Sequence, residues 1–258
     1  MPSSAALLEV SALTKRFGGL TALSEVDFRL HEGEILGLIG PNGAGKTTTF
    51  SLIAGALAPS SGSIRFAGEQ MVGLAPHAIA ARGVLRTFQH NRPFAGMPVL
   101  DNVLVGAHTR FRQGLWRIFS GSAAREEQEG RQRAEALIDF VGLGEARNAD
   151  VGTLSFGQGR LLEIARALAG EPRLILLDEP AAGLTPAECE RLAEIIRGIA
   201  ARGIAVLLIE HDMRFLLPLA HRIAVLNFGR KIADGLPEEI RGDRAVRDAY
   251  LGEHAARR

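Results

Sequence analysis

The sequence predicts an α/β domain: a parallel sheet with helices on both faces, interrupted by a helical subdomain. Three observations carry this. Short continuous apolar runs, such as Leu174–Leu177 and Ile204–Ile209, read as strands buried on both faces. These runs alternate with helical patterns, as βαβ units require. One of them, EILGLI over 34–39, leads directly into a glycine-rich loop and then a helix.

The elements follow in order. Residues 7–11 and 24–30 predict short strands, the second alternating at Val26, Phe28 and Leu30. After the strand 34–39, residues 46–57 predict a helix and 63–67 an edge strand closed by Gly68. From about 70 to 170 the chain reads as mostly helical. Ala134, Leu137, Ile138 and Val141 recur at helical spacing, and Gly142 and Gly144 end that helix. Alternation then resumes with a strand over 173–178. Residues 185–201 predict a helix with Thr185 as N-cap, Pro186 at its first position and Glu188 closing a capping box. Its apolar face is Leu192, Ile195, Ile196 and Ile199. Strands over 204–209 and 223–227 follow.

Composition narrows the function. The 258 residues carry 30 Lys+Arg against 29 Asp+Glu, a formal net charge of +1. That balance argues against a nucleic-acid-coating protein and an acidic disordered tail. The single cysteine, Cys189, excludes an intramolecular disulfide. The first ten residues lack the pattern of a signal peptide, and no apolar run approaches the roughly 20 residues of a membrane helix. Work at a membrane would need other chains to hold the protein there.

The residues that carry chemistry begin with Gly40, Pro41, Asn42, Gly43, Ala44, Gly45, Lys46, Thr47 and Thr48, which fit G-x-x-x-x-G-K-[ST]. The glycines let successive N–H groups turn inward around a phosphate. Lys46 supplies a point charge for the β- and γ-phosphates, and Thr47 a hydroxyl for Mg²⁺. The next helix aims its positive end at the same phosphates. Asp178, ending an apolar strand, is placed to hold Mg²⁺ through water, and Glu179 to polarise the water that attacks the γ-phosphate.

The stretch Leu154-Ser155-Phe156-Gly157-Gln158, after that loop and shortly before Asp178, resembles the LSGGQ signature of the ATP-binding subunits of ABC transporters. The resemblance covers roughly 7–252. It implies a P-loop NTPase (RecA-like) core with an N-terminal antiparallel β subdomain and an inserted α-helical subdomain. It divides one ABC ATPase domain, 5–254, into a nucleotide-binding core (5–88 and 171–254) and a helical signature subdomain (89–170). It implies ATP and Mg²⁺ as ligands, with Ser155, Gly157 and Gln158 facing the nucleotide of a second ATP-binding subunit, identical or not. Gln89 matches the family's glutamine at Mg²⁺ and the attacking water, His211 the switch histidine on the γ-phosphate, and Phe17 the aromatic stacked on adenine. Lys46, Gln89, Glu179 and His211 form the expected catalytic set, and Thr47, Gln89 and Asp178 the expected metal set.

Two departures stand out. Phe156 replaces a signature glycine, and Ala181-Ala182-Gly183-Leu184-Thr185 lacks the aspartate many members carry. Hydrolysis is expected to survive both.

TKRFGGLTALSEVDF, QHNRPFAGMPVLDNVLVGAH, LLIEHDM and the C-terminal ADGLPEEIR and DAYLGE, with an insert at about 108–133, are similar to the ATPase of bacterial branched-chain amino acid importers. That subfamily also serves amides, urea and other hydrophobic amino acids. The resemblance implies integral permease subunits, a solute-binding protein beyond them, and a place on the cytoplasmic face of the inner membrane, with no nucleic acid as partner. Phe94, Met97, Val99 and Leu100 are the expected seat for a permease helix. The insert, with the sole tryptophan Trp116, reads either as a contact surface for permease or lipid headgroups or as packing against the helical subdomain. A soluble ABC-type ATPase uncoupled from transport is the alternative. A long coiled-coil insert or two cassettes in one chain would favour it, and neither is present. A P-loop kinase or GTPase would lack LSFGQ.

Overall fold

The computed structural model describes residues 5–87, 93–107 and 122–255. The central sheet has six strands in the order β10-β9-β3-β8-β7-β6. These are β3 (Ile35–Ile39), β6 (Val84–Arg86), β7 (Leu174–Asp178), β8 (Ala205–Ile209), β9 (Arg222–Asn227) and β10 (Arg230–Gly235). All pair in parallel except β10, which returns antiparallel along β9. A second, antiparallel sheet has the order β2-β1-β4-β5. It comprises β1 (Leu8–Phe17), β2 (Leu20–Leu30), β4 (Ser61–Phe66) and β5 (Glu69–Gln70).

The apolar runs work because the pleat divides them. In β3, Ile35 and Ile39 enter one core with Ile175, Leu177, Val206 and Leu208. Leu36 and Leu38 enter the opposite core with Leu174, Leu176, Leu207 and Ile209. The first core holds the helices Val99–Gly106, Ser122–Phe140, Phe156–Ala169 and Pro186–Ala201. The second is closed by the helix Lys46–Ile53 and by Val10, Leu13, Leu23, Val26 and Phe28 of the antiparallel sheet. Each buried Leu or Ile contributes on the order of 2 kcal/mol of transfer free energy. Gly106 makes one helix crossing possible, since a Cβ there would lie 2.2 Å from the Arg166 carbonyl oxygen.

Several expectations are corrected. The N-terminal strands are longer than the 7–11 and 24–30 read from alternation, because bulges along β1 disturb its period. The helix expected to reach residue 57 ends at Ile53, before the left-handed Gly55. The stretch read as mostly helical contains β6, a three-residue strand on β7 too short to show a period. Helix Pro186–Ala201 carries the expected capping box, with Thr185 accepting from the Glu188 N–H and Glu188 returning the bond. Residues 108–121 of the insert, Trp116 included, lie outside the described residues.

Candidate active site

Strand β3 delivers the phosphate loop. Gly40 has φ 149°, and a Cβ there would lie 2.1 Å from the Leu226 carbonyl oxygen of β9. Gly45 has φ 104°, and its Cβ would lie 2.5 Å from Leu23 Cδ2 of β2. The loop is thus pressed between the two sheets, and the Gly229 N–H donates to the Ala44 carbonyl at 3.1 Å. Gly45 caps the following helix without a side-chain acceptor, so no side chain competes for its first-turn N–H groups. Lys46 is buried, and its Nζ donates to the carbonyls of Gly40 (2.6 Å) and Pro41 (3.0 Å). Thr47, one residue on, is exposed.

Neighbouring strands bring the acidic residues together. Asp178 ends β7 and pairs with Ile209, the last residue of β8. Asp178 Oδ2 accepts from Arg86 of β6 at 2.8 Å. Asp178 Oδ1 is buried and has no hydrogen-bond partner among the described residues. Burial pushes the Asp178 carboxyl up from its ordinary value, while Arg86 pulls it down. A buried carboxylate oxygen left unsatisfied fits a site that receives a cation or its water. Among the described residues no three His, Cys, Asp or Glu side chains converge on a metal position.

Glu179 follows in the left-handed region, φ 50°, held by its N–H to the Ile209 carbonyl at 2.9 Å. His211 is the second residue of the loop after β8, and its Nε2 lies 2.6 Å from Glu179 Oε1. Two residues predicted separately, 32 positions apart, thus share one contact. The same loop holds Glu210, which the sequence reading passed over. It is 4% exposed, and burial pushes its carboxyl up to about 7. Arg86 was missed as well, because β6 was.

Ser155 and Gln158 form a reciprocal cap on the helix Phe156–Ala169. The Ser155 N–H donates to Gln158 Oε1 at 2.9 Å, and the Gln158 N–H to Ser155 Oγ at 3.2 Å. The two departures from the family pattern meet in space. A Cβ at Gly183 would lie 3.1 Å from Phe156 Cε1, and one at Gly157 2.2 Å from Glu188 Oε1. Glu188 is the residue that caps Thr185, so the signature and the loop after Glu179 pack as one unit.

Phe17 ends β1 and is 45% exposed, with the Lys15 ammonium 4.9 Å from its ring centroid. It is not a core aromatic. Gln89 lies outside the described residues. The expected docking seat is corrected in part: Val99 and Leu100 are buried in the helical core and cannot receive a partner. Phe94 is exposed under the Arg166 guanidinium, and Met97 is half-buried beside it in the chain.

A family model described as ABC transporter matches residues 23–182. The chain belongs to the ABC transporter family. It is an ATP-binding cassette, an ATPase whose hydrolysis is coupled to transport. A second model, described as branched-chain amino acid ATP-binding cassette transporter, matches residues 230–256. The chain is 44% identical over 252 residues to the high-affinity branched-chain amino acid transport ATP-binding protein BraF of Pseudomonas aeruginosa, covering 96% of this chain and 98% of that one. Among solved structures, the ADP conformation of an ATP-binding cassette of an ABC transporter superposes with a TM-score of 0.85 at 30% identity. It covers 96% of this chain and 99% of its own. A dimeric cassette in a post-hydrolysis state, bound to ADP and Pi, superposes with a TM-score of 0.75 at 25% identity, covering 89% and 98%. The cassette therefore has the fold that sequence alone predicted, and nucleotide binding goes with it. Among the described residues no helix is long and apolar enough to cross a membrane.

Proposed function

We propose that this cassette binds and hydrolyses ATP to energise an importer of branched-chain or other hydrophobic amino acids or amides. The observation that carries hydrolysis is the contact between Glu179 and His211 at the ends of two adjacent strands. The match over 230–256 supports the substrate class.

In this reading Lys46 exchanges its bonds to the Gly40 and Pro41 carbonyls for the β- and γ-phosphates. The residues Gly40–Thr48 wrap those phosphates with N–H groups, and Phe17 stacks on the adenine. Thr47, Gln89 and Asp178 would hold Mg²⁺, which would supply charge neutralisation at the phosphates. Glu179 accepts the proton of the attacking water. His211, with Nε2 carrying its proton, donates to Glu179 and aims it. Ser155, Gly157 and Gln158 contact the nucleotide of a second cassette, so two chains close on two ATPs. Closure drives permease subunits between their states, because ATP binds the closed pair better than the open one. The cassette sits on the cytoplasmic face of the inner membrane, held through the permease, with 89–170 as the signature subdomain and 5–88 with 171–254 as the core.

The test is ATPase activity of the cassette assembled with its permease and solute-binding protein, across a panel of amino acids and amides. Stimulation by leucine, isoleucine or valine, or by a hydrophobic relative, is expected. Turnover indifferent to the whole panel would count against the importer reading.

A further inference from the structure

We propose that Glu210 is a positioning residue for hydrolysis: its buried carboxylate ties the loop after Glu179 to the backbone of His211 and keeps those two side chains in contact. The inference rests on the hydrolytic reading of Glu179 and His211.

Glu210 Oε1 accepts from the Ala181 N–H at 2.8 Å, and Oε2 accepts from the His211 N–H at 3.2 Å. The first bond reaches the strand neighbour's loop, 29 residues away; the second holds its own loop. Between them lies the 2.6 Å contact of His211 with Glu179. Glu179 occupies a left-handed backbone position that a side chain favours only when its surroundings over-determine it. Two backbone N–H groups anchored on one buried carboxylate supply that restraint. The hydrogen bonds of the carboxylate go to Ala181 and His211, so its effect on chemistry runs through the loops that carry Glu179 and His211.

The charged and titratable groups acting on it are few. Glu179 faces it from the loop after β7, and its charge pushes Glu210 upward. On its own loop, the N–H groups of His211 and Asp212 favour the ionised form. From the helix Pro186–Ala201, Cys189 feels the Glu210 charge. Protonation puts a hydrogen on one of the two accepting oxygens and weakens one anchor. The clamp is therefore complete in the ionised form, which gains population as pH rises through about 7.

The experiment compares the full-length wild type with Glu210→Gln and Glu179→Gln, measuring kcat, KM for ATP, and the pH dependence of kcat. Glu210→Gln keeps the size but turns an NH₂ toward one N–H. Its kcat should fall roughly 10-fold or more, the effect of losing a hydrogen bond to a charged group. KM should stay within about 2-fold, and the rise of kcat around pH 7 should disappear. A purely structural role would not remove that rise. Wild-type kcat and pH profile in Glu210→Gln, beside a crippled Glu179→Gln, would overturn the proposal; an unimpaired Glu179→Gln would overturn the hydrolytic reading beneath it. If Glu210→Gln does not fold, the wild-type amide resonance of Ala181 decides. It should follow a carboxyl titration, together with that of His211, and an amide indifferent to pH between 4 and 9 would refute the clamp.

Discussion

His211 Nε2 stands 2.6 Å from Glu179 Oε1, joining the loops that leave two adjacent parallel strands. The contact depends on the register that sets Asp178 beside Ile209, so sheet pairing places the two side chains. A carboxylate held this way has one oxygen committed to imidazole and the other available to a water. Around the pair, each supporting element yields its own measurable consequence.

The phosphate loop is tested by Lys46→Ala, which should lower ATP affinity at least 10-fold, as expected when a charge-assisted contact is lost. Gly40→Ala should do so as well, because its Cβ would collide with a backbone carbonyl of β9 that cannot rotate aside. Titration of a fluorescent ATP analogue measures both. Unchanged affinity in Lys46→Ala would remove the phosphate assignment.

Arg86 and Asp178 form a pair in which the aspartate side chain is fully buried and the arginine largely so. Arg86→Ala leaves the carboxylate buried without its partner, a loss on the order of 3 kcal/mol. Urea denaturation of the nucleotide-free chain at neutral pH should show it as a lower midpoint with an unchanged slope.

Glu210 sets a pH dependence of stability whose sign follows from its raised value. Its folded carboxyl titrates at about 7 against an ordinary 4.5, so the folded state binds the proton more tightly. The resulting stabilisation is complete below pH 4.5 and is lost as pH rises through 7, a swing of about 3 kcal/mol. The stability of wild type minus that of Glu210→Gln should therefore decline across this window. The group thus favours folding in its protonated form and catalysis in its ionised form. A difference that stays flat with pH would show that burial does not shift this carboxyl.

Ser155→Arg should leave ATP binding to one chain intact while preventing ATP-driven dimerisation, since position 155 is exposed at the helix start and faces the second cassette in the proposed assembly. Size-exclusion with ATP distinguishes the outcomes. Lost binding by the single chain would place the signature in the wrong site. Some loss of stability, about 1 kcal/mol, accompanies removal of the cap.

What was legible in the sequence was local. Gly40 to Thr48, the paired acids at the end of β7 and the cap at Ser155 announce themselves within a few residues, because loop geometry and helix ends are short-range problems. Glu210 did not, since its role arises only when β7 and β8 lie side by side and bring Ala181 within reach. Arg86 sits in a strand of three residues, below the length at which periodicity speaks. Val99 and Leu100 were misread for the opposite reason. An apolar side chain in a helix turn looks the same whether it awaits a partner or, as here, already fills a core. Phe17 shows the converse, an aromatic left exposed at a strand end.

The central claim is that Glu179, aimed by His211, activates the water that cleaves ATP. Single-turnover hydrolysis by Glu179→Gln and His211→Ala, with bound nucleotide quantified in the same samples, tests it most directly. Both variants should bind ATP like wild type and hydrolyse it about 100-fold or more slowly, as for loss of a general base or of the group that orients it. Hydrolysis at the wild-type rate by Glu179→Gln would contradict the account.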